Sequence, residues 1–310
     1  MKPAILAVEK LPPFLEERLR ATFTFHDGAN DAAALASIAG KVRGLVALGT
    51  SIVTGEFMAQ FPALEIISVF GVGYDGIDIQ SAHERGVVVT NTPDVLTDDV
   101  ADLCLGLILC VAREIPASER FLRSGQWKRG AFRLARKVSG SRLGIIGLGR
   151  IGSAVARRAE GFGMSIAYTD LKEKPGVSYR YYPTLLELAA NSDFLVVSAF
   201  GGPTTRNLVN AEVLQALGPE GYLINIARGS LVDEPALVEA LRDHKIRGAA
   251  IDAFANEPNV PEELLTLENV VLSPHMASGT VQTRHAMADL VFANLEAYFA
   301  GKPVLTRVPR

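Results

Sequence analysis

Cysteine and tryptophan are scarce in this chain of 310 residues, which has two cysteines and one tryptophan. Cys104 and Cys110 fall in one predicted helix, at a spacing that points their side chains in different directions, so they are not expected to pair. No group of cysteine and histidine residues has the spacing typical of a metal site. The sequence therefore predicts neither a disulfide framework nor a metal centre.

The sequence also lacks a large excess of charge of either sign, because its formal net charge is -3 and its pI is near 6.0. It therefore offers no electrostatic footprint for nucleic acid or for a membrane surface. The N-terminal residues lack the layout of a signal peptide, and the longest apolar run, near residues 103–111, is too short to span a bilayer. We expect a cytoplasmic protein.

The most informative stretch is a glycine-rich turn between a predicted strand and a predicted helix. In a dinucleotide-binding unit the first glycine (Gly147) forms the tight turn, the second (Gly149) lets a pyrophosphate approach, and the third (Gly152) lets helix and strand pack closely. A second predicted strand ends at Asp170, where an acid accepts hydrogen bonds from ribose hydroxyls. A structural turn and a solvated strand-end carboxylate are the alternative interpretations. Because a carboxylate repels a 2′-phosphate, the stretch predicts a site that favours NAD(H), with NADP(H) possible.

Short β-type runs alternate with helical patterns before and after this turn. That alternation is typical of an α/β fold, in which helices cover both faces of a parallel sheet. The chain contains two such α/β units, and the glycine motif opens the second. One long apolar helix, over residues 96–112, could connect the units or support a dimer.

One ligand-facing candidate lies in the first unit. The strand that ends at Phe70 runs into a loop that contains Val72 and Gly73. Open α/β sheets bind ligands beyond the carboxyl ends of their strands, and small residues there expose N–H groups that can hold a carboxylate. A plain turn fits this stretch equally well.

Three later strand ends carry charged groups suited to hydride transfer: Arg228, then Asp252 with Glu257, then His275. A cation can hold and polarise an oxo acid, and histidine exchanges a proton near neutral pH. A carboxylate can orient that imidazole. Taken singly, Arg228 could be a surface ion-pair residue, Glu257 a loop charge and His275 a loop histidine. Together with a dinucleotide they predict a nicotinamide-dependent oxidoreductase.

The same residues carry a resemblance to the D-2-hydroxyacid dehydrogenase family. The matching stretches occur in family order over nearly the whole chain: residues 72–75, 91–93, 147–152, 227–233, 252–258 and 274–275. Within the family the sequence is most similar to the glyoxylate/hydroxypyruvate reductases and their hydroxyphenylpyruvate-reductase relatives, particularly through residues 174–182 and 278–284.

The resemblance implies a role for each candidate residue. Arg228 would bind the substrate carboxylate and carbonyl oxygen, and the N–H groups of Val72 and Gly73 would grip the carboxylate. His275 would protonate the carbonyl oxygen as hydride arrives, with Glu257 holding the imidazole in place and protonated. Asp252 would hold the nicotinamide carboxamide. Leu148, Gly149, Arg150 and Ile151 would contact the pyrophosphate, and Asp170 would contact the ribose. Near the cofactor there would also be Ile226, Ala227 and Arg228.

The resemblance also implies two Rossmann- or flavodoxin-like doubly wound domains with a cleft between them. The substrate-binding domain would comprise residues 1–97 and 286–310, because the C-terminal helix crosses back. The NAD(P)-binding domain would comprise residues 98–285. A homodimer is expected from the family and from the apolar helix.

The sequence departs from its relatives in several places. NADP-using relatives carry a basic residue where Asp170 and Leu171 stand here, although Lys172 could assist a phosphate. Residues 199–203 lack the usual polar residue before proline. Ala253 and Ala255 replace bulkier residues. Trp127 lies where some relatives insert an aromatic side chain into the neighbouring subunit's site, but we expect it to pack in a core.

The function predicted from these residues is NAD(P)H-dependent reduction of small 2-oxo acids, glyoxylate or hydroxypyruvate, to D-2-hydroxy acids. One alternative is a reductase of a larger 2-oxo acid, such as phenylpyruvate, hydroxyphenylpyruvate or 2-ketogluconate. The other is a non-catalytic protein that senses NAD, which could retain Arg228, Glu257 and His275.

Overall fold

The computed structural model describes residues 2–27 and 32–309. The chain divides into two compact units: unit 1 is Met1–Leu96 with Thr280–Arg310, and unit 2 is Thr97–Gly279. The sequence-based bounds placed the second boundary at residue 285, inside the last helix. The contact-based division assigns that whole helix to unit 1.

Unit 1 contains a parallel five-stranded sheet in the order β2-β1-β3-β4-β5, which is a flavodoxin-like order. Its strands are apolar and largely buried, as expected for a sheet covered on both faces. Its strands and helices are β1 Ala4–Ala7, α1 Pro13–Thr22, β2 Thr24–His26, α2 Ala32–Ile38, β3 Val42–Leu48, α3 Gly55–Ala59, β4 Ile66–Phe70, α4 Ile79–Glu84, β5 Val88–Thr90 and α12 Val281–Phe299.

The C-terminal segment closes the β5 edge of this sheet. Thr90 and Arg307 form an antiparallel bridge, and the N–H of Val308 donates to the carbonyl oxygen of Val89 at 2.9 Å. Val308 is buried with the core of unit 1. The last residues of the chain therefore run beside the strand that leads into residues 91–93.

Unit 2 contains a parallel seven-stranded sheet in the order β12-β11-β10-β9-β6-β7-β8. With β6 as the first strand this is the Rossmann order, and the α/β fold class predicted from the sequence is confirmed. The strands and helices are α5 Thr97–Ala112, α6 Ile115–Arg123, β6 Arg142–Ile146, α7 Arg150–Glu160, β7 Ser165–Thr169, β8 Arg180–Tyr181, α8 Leu185–Ala190, β9 Phe194–Val197, α9 Ala211–Leu217, β10 Tyr222–Asn225, α10 Glu234–Arg242, β11 Gly248–Ile251, α11 Glu262–Thr266 and β12 Val270–Leu272.

The apolar helix α5 packs inside its own unit. It contacts α7 and the strands β10, β11 and β12, and eight of its residues are buried. Arg158 of α7 adds ion pairs to Asp98 at 2.9 Å and Asp102 at 2.5 Å. The apolarity of α5 is thus explained by packing in unit 2, and it does not by itself support a dimer. Among the described helices, none is long and apolar enough to cross a membrane.

The expectation for Trp127 is wrong, because its side chain is 67% exposed and lies outside the core of unit 2. It follows α6, a helix with no buried residue. Leu122 and Leu134, on either side of it in sequence, are 55% and 95% exposed. A lone tryptophan gives no periodic pattern from which burial can be read.

Candidate active site

The glycine turn of unit 2 has the geometry of a dinucleotide-binding loop. Gly147 adopts φ +86°, and a Cβ on it would lie 2.7 Å from the Cα of Ala199. A Cβ on Gly152 would overlap the carbonyl oxygen of Gly147, so helix and strand approach closely there. A Cβ on Gly149 would meet nothing within 4 Å. The turn therefore leaves open space at Gly149, the position where a pyrophosphate approaches the backbone, and the chain fits the cofactor.

The helix that follows the turn adds favourable electrostatics. Gly149 caps α7 without a side-chain hydrogen bond, and Arg150 and Ile151 form its first turn. The first amides of an uncapped helix lack acceptors and carry positive dipole character, which suits a phosphate. This arrangement fits the predicted pyrophosphate contacts of these residues.

Asp170 lies at the carboxyl end of β7, beside this turn. Its Oδ2 accepts from the N–H of Leu148 at 3.0 Å, and its Oδ1 accepts from the N–H of Leu171 at 2.8 Å. The ammonium of Lys174 lies 3.1 Å from Oδ2. Leu148, which the resemblance placed at the pyrophosphate, donates its N–H to Asp170 in this structure. It orients the acid at the edge of the cofactor loop.

The other predicted residues of unit 2 meet at the carboxyl ends of three adjacent strands. Parallel pairing joins β10 to β11 and β11 to β12, so the loops that follow them share one edge of the sheet. Arg228 follows β10, Asp252 and Glu257 follow β11, and His275 follows β12. Gly229 packs so closely on the backbone of Phe254 that a Cβ there would overlap it. The first two loops are thus in direct contact.

His275 and Glu257 are joined through one ring nitrogen, which lies within hydrogen-bonding distance of both carboxylate oxygens. The Nδ1 atom of His275 lies 2.7 Å from Oε2 and 2.9 Å from Oε1 of Glu257. Both side chains are partly exposed, at 32% and 24%. His275 adopts φ +46°, a backbone region that non-glycine residues rarely occupy and that is enriched at functional sites. With Nδ1 engaged by the carboxylate, Nε2 is the ring nitrogen that can meet a substrate.

The charge on Glu257 is stabilised by its neighbours. Burial raises the pKa of this carboxyl, but the hydrogen bond from His275, the N–H of Phe254 at 2.9 Å, and the charges of His275 and Arg228 outweigh it. The pKa of Glu257 therefore lies below its ordinary value. The carboxylate is ionised at neutral pH and can balance a positive imidazole.

Asp252 is buried, with 1% exposure, and organises the loop that carries His275. Its carboxylate accepts from the hydroxyl of Ser273 at 2.6 Å and from the N–H groups of Met276 and Ala277, both at 3.0 Å. Its carbonyl oxygen accepts from the N–H of His275 at 2.8 Å. Three donors leave one of about four lone-pair positions for a further donor. The predicted contact with a carboxamide stays a prediction.

Sequence reasoning assigned no role to Asn225, the last residue of β10, which is 1% exposed. Its Nδ2 donates to the carbonyl oxygens of Arg228 at 2.9 Å and Ala253 at 3.3 Å, and its Oδ1 accepts from Ala227 at 3.1 Å. Asn225 therefore joins the Arg228 loop to the loop after β11. An amide at the end of an otherwise apolar buried strand was the available signal.

Arg228 is held by its own loop. Its Nη1 donates to the carbonyl oxygen of Ala227 at 2.8 Å, and its charge acts on Glu257. Ile226, buried at 7% exposure, lies between the end of β10 and these residues. A cation, an imidazole and a carboxylate thus share the sheet edge that also carries the glycine turn.

Unit 1 has a candidate loop of its own, between β4 and α4. Val72 and Gly73 follow β4, and the carbonyl oxygen of Val72 accepts from Nδ2 of Asn91 at 2.8 Å. Within residues 2–27 and 32–309, the N–H groups of Val72 and Gly73 make no hydrogen bond. Two adjacent backbone donors therefore remain for an anion.

Comparison with known proteins agrees with this geometry. The D-isomer specific 2-hydroxyacid dehydrogenase family, NAD binding domain, matches residues 105–277. Hydroxyphenylpyruvate reductase of Plectranthus scutellarioides is 54% identical over 274 residues, covering 88% of each chain. Glyoxylate/hydroxypyruvate reductase A of Arabidopsis thaliana is 48% identical over 307 residues, covering 98% of each.

One solved structure is as similar in sequence to this chain as the Arabidopsis reductase is. The NADPH-dependent glyoxylate/hydroxypyruvate reductase of Sinorhizobium meliloti, in complex with NADP and malonate, has a TM-score of 0.95 and 48% identity. The match covers 99% of this chain and 97% of that one. The resemblance found in the sequence is confirmed. This chain belongs to the D-isomer specific 2-hydroxyacid dehydrogenases, oxidoreductases that use a nicotinamide cofactor.

Proposed function

We propose that the chain reduces small 2-oxo acids, glyoxylate and hydroxypyruvate, to D-2-hydroxy acids. The observation that carries the proposal is the hydrogen-bonded pair of His275 and Glu257, in which Nδ1 lies 2.7 and 2.9 Å from the two carboxylate oxygens. The charge of Arg228 acts on the same carboxylate. The names of the two reductases that align over nearly the whole chain support this substrate class.

His275 acts as the general acid. A reduced dinucleotide, with its pyrophosphate held at the glycine turn, would supply the hydride when bound. The imidazolium donates its Nε2 proton to the carbonyl oxygen, which would otherwise become an alkoxide. Glu257 holds Nδ1 and stabilises the positive ring, as an opposite charge within hydrogen-bonding distance does. In the oxidative direction the neutral ring takes the same proton back.

Arg228 binds the carboxylate of the oxo acid and polarises its carbonyl group. A guanidinium suits this role because its planar array of donors matches a carboxylate in bidentate geometry. In unit 1, the N–H groups of Val72 and Gly73 are two donors that suit a substrate carboxylate, and we propose that they bind one. These contacts explain why an acid, rather than a simple aldehyde or ketone, is the substrate.

We infer a preference for NADH over NADPH from Asp170. Its carboxylate, oriented by the N–H groups of Leu148 and Leu171, accepts from a ribose hydroxyl and repels a 2′-phosphate. Lys174, 3.1 Å from Oδ2, offsets part of that repulsion. The preference is therefore one of degree, and NADPH remains a substrate. Comparing KM for the two cofactors measures it directly.

A larger 2-oxo acid is the second candidate substrate. The relative that is 54% identical is a hydroxyphenylpyruvate reductase. Ala253 and Ala255, on either side of Phe254 in the Glu257 loop, are small residues, and we infer that they would accommodate a larger acid. This candidate uses the same roles for Arg228, Glu257 and His275.

A crossed assay tests these proposals. Absorbance of the reduced cofactor would be followed with NADH and NADPH against glyoxylate, hydroxypyruvate, hydroxyphenylpyruvate, phenylpyruvate and 2-ketogluconate. We expect the highest kcat/KM with NADH and hydroxypyruvate or glyoxylate. A higher value for an aromatic acid would favour the second candidate. Activity with none of them, from protein that binds NADH, would favour a role in sensing the dinucleotide.

We also infer that the chain forms a homodimer through α6 and the segment that follows it. Ile115, Leu122, Trp127 and Leu134 expose 46%, 55%, 67% and 95% of their surface within one short stretch of unit 2. Exposed apolar residues concentrated in this way are typical of an association surface. Light scattering after size exclusion should give twice the chain mass, and Leu134→Arg should give one chain mass. An unchanged mass for the variant would refute this surface.

A further inference from the structure

A continuous chain of polar contacts in unit 1 links the last helix to the loop that contains Val72 and Gly73. Its members are Asn294 of α12, Thr306 near the C-terminus, and Asn91 after β5. We propose that Asn91 and Thr306 are positioning residues that aim the N–H groups of Val72 and Gly73 at the substrate carboxylate. The inference rests on the proposed function, in which those N–H groups bind the acid.

Asn294 anchors the chain of contacts, because it is fully buried and every hydrogen-bonding position of its amide is used. Its Oδ1 accepts from the N–H groups of Leu305 at 2.9 Å and Thr306 at 3.2 Å. Its Nδ2 donates to the carbonyl oxygen of Leu290 at 2.9 Å and to Oγ1 of Thr306 at 2.8 Å. The C-terminal segment is therefore fixed to α12.

Thr306, which is held by Asn294, in turn makes two hydrogen bonds to the backbone of Asn91. Its hydroxyl accepts from Asn294 and donates to the carbonyl oxygen of Asn91 at 2.7 Å, while the N–H of Asn91 donates to the carbonyl oxygen of Thr306 at 3.3 Å. The hydroxyl thus has one donor and one acceptor as partners, and successive hydrogen bonds of this kind strengthen each other. Two contacts hold the backbone of Asn91.

Asn91 and its neighbour then fix two consecutive peptide groups of the loop. Nδ2 of Asn91 donates to the carbonyl oxygen of Val72 at 2.8 Å, and the N–H of Thr92 donates to the carbonyl oxygen of Gly71 at 2.9 Å. A peptide group is planar and trans, so its N–H points away from its own carbonyl oxygen. The carbonyl of Gly71 shares a plane with the N–H of Val72, and the carbonyl of Val72 shares one with the N–H of Gly73.

The carbonyl oxygens of Gly71 and Val72 are held toward residues 91–92. The N–H groups of Val72 and Gly73 therefore point away from those residues. These are the same two groups that make no hydrogen bond in the described part of the chain. Peptide groups directed in advance avoid the entropy cost of ordering the loop when the anion binds. The amide of Asn91 would thus set affinity for the acid without touching it.

The test uses substitutions that remove one contact each. Asn91→Ala should raise KM for hydroxypyruvate roughly 3- to 10-fold, the effect of losing one orienting hydrogen bond. Thr306→Val should raise it about 2- to 3-fold by the same reasoning, and Thr306→Ser should restore the wild-type value because it keeps the hydroxyl. We expect kcat and the Kd for NADH to change little in all three variants.

A matched control is available at the opposite edge of the same sheet. Thr24 of β2 has an exposed side chain, and among the described residues its hydroxyl donates only to the carbonyl oxygen of Lys2, at 3.4 Å, so Thr24→Val should leave KM unchanged. A merely structural role for Asn91 would lower the amount of active protein and the unfolding temperature while KM stays constant. That outcome, or a wild-type KM in Asn91→Ala, would overturn the inference.

Malonate binding, measured by calorimetry on the whole protein with NADH present, separates this inference from the proposed function. Wild-type protein that binds malonate but reduces no oxo acid would refute the function alone. In that case weaker malonate binding by Asn91→Ala would still support the positioning role. Equal affinities in Asn91→Ala and wild type, or no binding by wild type, would overturn it.

Discussion

Adding a methyl group at two different glycines of the turn should affect two different properties, cofactor binding at Gly149 and protein stability at Gly152. A Cβ at Gly149 would meet nothing within 4 Å, and this residue has φ −78° and ψ −159°, extended angles that alanine can adopt. A Cβ at Gly152 would overlap the carbonyl oxygen of Gly147 and lie 2.9 Å from Oγ of Ser198. Gly149→Ala and Gly152→Ala therefore test two different properties.

The expected effects on stability have opposite signs. Replacing glycine by alanine where the backbone angles are compatible stabilises a protein by about 0.4 to 1 kcal/mol, because the unfolded chain loses entropy. Gly149→Ala should thus raise the unfolding temperature by roughly 1 to 3 °C. Overpacking costs about 1 to 3 kcal/mol, and a carbonyl oxygen cannot rotate away as a side chain can. Gly152→Ala should lower the unfolding temperature by roughly 3 to 10 °C.

The expected effect on binding follows from where the pyrophosphate approaches. A methyl group at Gly149 would occupy the open space in front of the first amides of α7, and it would displace the phosphate from one or two of them. Each hydrogen bond to a charged group contributes about 1.5 to 3 kcal/mol. Gly149→Ala should therefore weaken NADH binding by roughly 10- to 150-fold for each bond that is lost.

Cofactor fluorescence titration and thermal unfolding of the apoprotein would check both effects on the same samples. The reasoning requires Gly149→Ala to be at least as stable as wild type and yet to bind NADH much more weakly. Wild-type affinity in Gly149→Ala would show that the pyrophosphate does not approach there. Wild-type stability in Gly152→Ala would show that the backbone at Gly152 and Gly147 has room for a methyl group.

The remaining predictions concern the charged residues of unit 2. His275→Gln should lower kcat by about 100- to 10,000-fold, the usual contribution of a general acid, while Kd for NADH stays within twofold of wild type; undiminished turnover would exclude the role. Because the pKa of Glu257 lies below its ordinary 4.5, its pairing contributes stability that is complete above that pH and is lost as the pH falls through the lower folded pKa. Glu257→Gln should therefore reduce the loss of stability below pH 4.5, measured by thermal unfolding at each pH. Arg228→Gln should raise KM for the oxo acid and slow turnover, and an unchanged substrate dependence would be inconsistent with carboxylate binding. Asp170→Ala should lower the ratio of kcat/KM with NADH to kcat/KM with NADPH. An unaltered ratio would refute the proposed contact between Asp170 and the ribose.

Much of the fold and part of the site followed from local patterns. The glycine spacing, the apolar strand before it and the acid after the next strand lie within residues 142–170, and each constrains the backbone directly. Arg228, Glu257 and His275 could be grouped because the carboxyl ends of adjacent parallel strands lie at one sheet edge. These features depend on order along the chain, which the sequence gives.

The residues that sequence reasoning missed act over long separations. The buried amide of Asn225 contacts Ala253, 28 positions away, and Asn91 contacts Thr306, 215 positions away. A polar residue produces no periodicity, so its partner is unknown until the sheet is assembled. The apolar pattern of α5 indicated burial, but it could not distinguish packing within unit 2 from contact with another subunit.

The handedness of the product tests the central claim most directly. Purified protein would be incubated with NADH and hydroxypyruvate, and the glycerate formed would be separated on a chiral column and compared with the NADH consumed. The proposed function predicts one D-glycerate for each NADH oxidised, and loss of both in His275→Gln. L-glycerate, a racemic product, or full activity in His275→Gln would contradict it.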